Sequence, residues 1–77
     1  MSFAHVPELA DWTGEAHGRA VVRANLHIRT RPAEDAPSLG LWLQGDILDV
    51  WGRSGDWLFV MDATRCGWSH SDYLSPL

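Results

Sequence analysis

Seventy-seven residues make one domain, and a chain this short buries only about 60% of the surface its unfolded form exposes, which leaves little room for a deep catalytic cavity. The formal charge is −4: six arginines, spread from Arg19 to Arg65, face ten carboxylates, so the basic face that nucleic-acid binding needs is missing and nucleic acid is not an expected partner. Cys66 is the single cysteine, which rules out an intramolecular disulfide, and no apolar run is long enough to cross a bilayer.

Residues 1–18 read as an N-terminal arm. The stretch Pro7-Glu8-Leu9-Ala10-Asp11-Trp12 suits one or two helical turns with Pro7 near the first position. Residues 13–18 follow as a linker. Nothing near the start resembles a secretory signal, since residues 1–8 lack both a basic region and an apolar one. The expected place of synthesis is therefore the cytosol, with lysis as the route to a cell wall.

From residue 19 onward the pattern is short alternating strands with turn residues between them. Strands are expected over residues 20–24, 26–29, 39–43, 47–51, 57–61 and 66–69. Residues 30–38 hold two prolines and two carboxylates and read as a long loop. Gly45-Asp46, residues 52–56 and residues 62–65 read as turns, and Ser71-Asp72-Tyr73-Leu74 as a single 3₁₀ turn. This spacing predicts an all-β fold, a small antiparallel barrel or pair of packed sheets of five to seven short strands over residues 19–77.

Alternation assigns Val22, Leu26, Ile28, Leu39, Trp42, Leu48, Val50, Leu58, Val60 and Trp68 to the core. It leaves Leu41, Leu43, Ile47, Trp51, Phe59 and Met61 facing outward. An apolar patch of that size on a small monomer normally meets something. Two covers are expected: the arm folding back with Phe3, Leu9 and Trp12, or a second copy of the chain packed face to face.

The ordered set Leu26-His27-Ile28-Arg29 with Pro32, Leu39-Gly40, Gly45-Asp46, Gly52, Gly55-Asp56-Trp57, Gly67-Trp68 and Ser71-Asp72-Tyr73-Leu74 resembles the bacterial SH3-like domain. The resemblance covers about three-quarters of the chain, residues 19–77. It implies a β-barrel without enzymatic activity or cofactor, of a kind that commonly binds peptidoglycan or its peptide bridges. The C-terminal half is also similar to eukaryotic SH3 domains, whose groove tryptophan and tyrosine fall on Trp57 and Tyr73. His70 stands where that pattern has proline, and the Ala-Leu-Tyr-Asp-Tyr segment is missing, so recognition of proline-rich peptides is not implied.

The residues themselves support a binding site more readily than a reacting one. If Leu58 and Val60 point inward, Trp57 points outward, and Tyr73 lies on the terminal turn three residues after His70. An exposed indole and phenol hold an extended peptide by flat apolar contact, with His70 as a polar contact. Glu34 and Asp35, in the long loop, supply charge for a cationic ligand. Arg29 and Arg31 are expected to pair with Glu34, Asp35 or Asp46. Cys66 and His70 do not form a nucleophile pair, because four residues of extended chain separate them by ~13 Å. No metal site is expected, since the His and Cys residues lack a close ligand pair of recognised spacing. The expected function is non-catalytic binding of bacterial cell-wall peptide. The alternative is an intracellular adaptor or assembly subunit that uses the outer apolar face.

Overall fold

The computed structural model describes residues 3–77. Seven strands follow in chain order: β1 (Arg19–Val22), β2 (Leu26–Arg29), β3 (Ser38–Trp42), β4 (Ile47–Ser54), β5 (Trp57–Met61), β6 (Cys66–His70) and β7 (Leu74–Pro76). Two 3₁₀ turns, Leu9–Asp11 and Ser71–Tyr73, complete the elements. The strands form one antiparallel sheet in the order β3-β2-β6-β5-β4-β1-β7.

Period-two alternation builds the core. Ala20 and Val22, Leu26 and Ile28, Leu48 and Val50, Leu58 and Val60 all point to one face and are buried there. Trp42 of β3 and Leu74 of β7 belong to the same buried cluster, although they stand at opposite ends of the strand order. The sheet therefore wraps around its own inner face.

The ladder nevertheless stays open, and the expected closed barrel is corrected in that respect: β3 and β7 do not pair with each other. The β7 edge has few donors left to exchange. At β7 the Leu74 N–H is taken by the Ser71 carbonyl, and Pro76 has no N–H to offer. An edge short of donors neither closes the sheet nor invites edge-to-edge association.

Two residues expected inside lie outside. Leu39 is 59% exposed, because Trp42 points inward and a residue three positions away must then point outward. Trp68 faces outward beside Phe59, with ring centroids 5.3 Å apart. Its neighbours Gly67 and Ser69 take the inward positions, opposite Val60 and Leu58. The bulk of Trp42 explains this choice. Its indole is fully buried and donates through Nε1 to the Ser69 Oγ (3.1 Å), which in turn donates to the His27 carbonyl (3.0 Å). The Arg65 guanidinium lies 4.8 Å from the Trp42 ring centroid and covers it as a cation over a π face.

β4 is longer than alternation alone suggests, because the register shifts between Val50 and Gly52. The shift sets Trp51 in a bulge and places Gly52 opposite Phe59. β4 then runs into a two-residue turn, Gly55-Asp56, between Ser54 and Trp57. Gly55 has φ +59 and Asp56 has a negative φ, the pattern of a type II′ hairpin.

The arm is an integral part of the packing. Its chain crosses Arg53, whose N–H donates to the Pro7 carbonyl (3.0 Å), whose Nε donates to the Val6 carbonyl (3.0 Å) and whose Nη1 meets Glu8 Oε1 (2.8 Å). Leu9 lies on Gly52, where a β-carbon would approach Leu9 Cδ1 to 2.7 Å. Trp12 meets Trp51 edge to face at 5.5 Å. Phe3 departs from the expected cover. It turns back through a Val6 N–H bond to its own carbonyl and joins the inner cluster together with Val6.

Candidate functional site

The register of β5 and β6 sets the first part of the site. Trp57 pairs with His70, so the half-buried indole stands edge-on to the imidazole with centroids 5.2 Å apart. β6 ends at His70, and its Nδ1 accepts the Asp72 N–H (3.1 Å), which caps the Ser71–Tyr73 turn. The Ser71 N–H donates to the Asp56 carbonyl (2.9 Å) and ties that turn to the β4–β5 hairpin. Tyr73 is thereby held half-exposed with its ring 6.3 Å from His70. The three rings form a continuous corner, Trp57–His70–Tyr73.

β2 supplies the opposite wall. Arg29 is in register with Trp68 on β6, so His27 falls beside His70. His27 Nδ1 and the Ser38 hydroxyl are 2.8 Å apart, which fixes the imidazole. The loop after β2 folds on itself: Thr30 N–H reaches the Pro37 carbonyl, and Ala36 is buried and receives Arg29 Nη1 on its carbonyl (3.0 Å). This bond replaces the ion pairs expected for Arg29. Asp46 is otherwise engaged, with its carboxylate accepting the Leu43 N–H (2.9 Å). The loop delivers Glu34 to the rim.

These elements enclose a groove of about 460 Å³ lined by Asn25, Leu26, His27, Arg29, Glu34, Trp57, His70, Asp72 and Tyr73. Trp57, His70, Tyr73 and Glu34 thus share one groove, whereas Asp35 is exposed outside its lining. The Asp72 carboxylate lies 3.7 Å from His70 Nδ1 and is largely exposed. Asn25, His27 and Asp72 join the groove beyond the ligand contacts expected from the sequence. Asn25 and His27 owe their places to the β2–β6 register, which no local pattern announces, and Asp72 owes its own to the 3₁₀ turn after His70.

The outward apolar residues do not form one surface. Leu41, Leu43 and Ile47 flank the turn between β3 and β4 and are exposed. Phe59 and Met61 lie on β5, separated from β3 by β2 and β6, and are half-buried. Trp51 is half-buried under Trp12, which is itself 43% exposed.

Cys66 is exposed at the far end of β6 from His70. Among the described residues no three His, Cys, Asp or Glu side chains converge where a metal ion could sit, and no helix is long and apolar enough to cross a membrane. Asp62 lies in the turn between β5 and β6. Backbone N–H donors of Thr64 and Arg65 hold its carboxyl below the usual carboxylate range. Comparison with protein-family models, with curated proteins and with solved structures finds no match to this chain.

Proposed function

We propose that this chain is an SH3-like module of the bacterial type that binds an extended peptide ligand without converting it, and that the ligand is the peptide part of bacterial cell wall. One observation carries the reading: the Trp57–His70–Tyr73 corner opens onto a groove rimmed by Glu34. Flat rings with polar tips suit a backbone of alternating apolar and amide surface. The wrapped sheet with its single core is compatible with a barrel of the SH3 type, and the groove lies among β2 with its following loop, the start of β5 and the 3₁₀ turn.

Sedimentation with purified cell walls tests the proposal. The wild-type chain is expected in the pellet. Trp57→Ala is expected to weaken binding by about 30-fold, the equivalent of roughly 2 kcal/mol for an aromatic anchor. Retention of Trp57→Ala at wild-type affinity removes the groove from the reading.

A second reading rests on a different observation. Leu41, Leu43 and Ile47 are 41%, 53% and 55% exposed around one turn, with no apolar cover among the described residues. An adaptor or self-associating subunit would use that surface for a protein partner. Failure to pellet with walls, together with a dimer in analytical ultracentrifugation that Leu43→Asp dissolves, favours this second reading.

A further inference from the structure

A second cavity, about 530 Å³, shares Asp72 with the aromatic groove and lies beneath the start of the arm. Its size is that of a small-ligand site. Leu58 and Leu74, both buried, form its floor, and Phe3 closes one side. Its polar lining is unevenly used. Arg53 is engaged through Nε with Val6 and through Nη1 with Glu8. Arg23, just after β1, is anchored through its backbone N–H to the Tyr73 carbonyl (2.8 Å), but its guanidinium makes a single long contact, 3.5 Å to the Asp72 carbonyl. The hydroxyls of Ser71 and Ser75 have no hydrogen-bond partner among the described residues.

We infer that this cavity receives the terminal carboxylate of a peptide, with Arg23 as its guanidinium ligand and Ser71 and Ser75 as hydroxyl donors. A guanidinium fork with spare donors matches a carboxylate in shape and charge. The Asp72 carboxylate is directed toward His70, 3.7 Å away, and Arg23 meets the Asp72 backbone carbonyl instead. Asp56, exposed at the rim, takes the N–H of the last peptide bond. The inference rests on the groove reading for the ligand's path: a peptide lying along Trp57 and Tyr73 crosses Asp72 and ends against the floor of this cavity.

The test uses the full ¹⁵N-labelled chain and two probes, N-acetyl-alanyl-alanine as the free acid and as its carboxamide. The free acid is expected to shift the Ser71 and Ser75 amide signals saturably, with an affinity at least about tenfold above that of the carboxamide. Arg23→Gln, whose one side-chain contact is long, is expected to keep the wild-type melting temperature and to abolish the preference. Equal affinity for the two probes, or a preference that survives Arg23→Gln, overturns the inference. If Trp57 and Tyr73 respond to both probes while Ser71 and Ser75 respond to neither, the carboxylate site falls and the groove reading stands. If Ser71 and Ser75 respond to the free acid while Trp57 and Tyr73 stay still, the carboxylate site stands and the groove reading falls.

Discussion

Ser69→Ala removes one oxygen from the fully buried interior and leaves two groups without it. The Trp42 Nε1–H loses its acceptor at 3.1 Å, and the His27 carbonyl loses a donor at 3.0 Å. A buried donor without a partner costs about 1–3 kcal/mol. Taking about 2 kcal/mol, the melting temperature of a domain this size is expected to fall by roughly 8–16 °C. Urea unfolding followed by tryptophan fluorescence measures the change, with Trp42→Phe as the second arm of a double-mutant cycle. Phenylalanine carries no N–H, so Ser69→Ala is expected to cost about 1 kcal/mol less in that background. An equal cost in both backgrounds, or a Ser69→Ala variant within about 0.5 kcal/mol of wild type, would refute the claim that this hydroxyl secures the central indole.

Three other outcomes follow from the packing. Gly67→Ala places a methyl against Ile28 Cγ2 and 3.0 Å from the Arg29 carbonyl, so overpacking at the β2–β6 contact is expected to cost about 1–3 kcal/mol in chemical denaturation; a neutral variant would contradict the close approach of these strands. Phe3→Ala is expected to lose about 3 kcal/mol, because Phe3 belongs to the inner cluster; a change below about 0.5 kcal/mol would show the arm detached in solution. Asp62 has a folded pKa depressed below its ordinary 3.8, so its contribution is present above that value and fades as pH falls through the folded one. The gap in melting temperature between wild type and Asp62→Ala is therefore expected to be constant near neutrality and to shrink in acid below the ordinary value, and a gap independent of pH throughout would contradict it.

The ring corner shows how far local pattern reaches into a site. Trp57 is outward because Leu58 and Val60 are inward, and that much is alternation. His70 meets Trp57 because β5 and β6 are joined by a short turn that fixes their register. Both steps are local in the chain. His27 and Asn25 reach the same groove only through the β2–β6 contact, between segments some forty residues apart in the sequence. Arg29 illustrates the same limit: its nearby carboxylates were legible, but the buried Ala36 carbonyl that it binds depends on how the loop closes.

Sequence by itself determined the all-β class, strand positions to within a few residues, and eight of the ten residues assigned to the interior. Those follow from side-chain alternation and from Gly, Pro, Asn and Asp turn chemistry, which act over a few residues. Tertiary structure decided the rest. Room for Trp42 pushed Trp68 outward and drew Gly67 and Ser69 in, the bulge at Trp51 lengthened β4 and made a seat for Leu9, and the donor-poor edge at Leu74 and Pro76 kept the ladder open. Each of these is set by volume or hydrogen bonding between distant segments, and no window along the chain contains both partners.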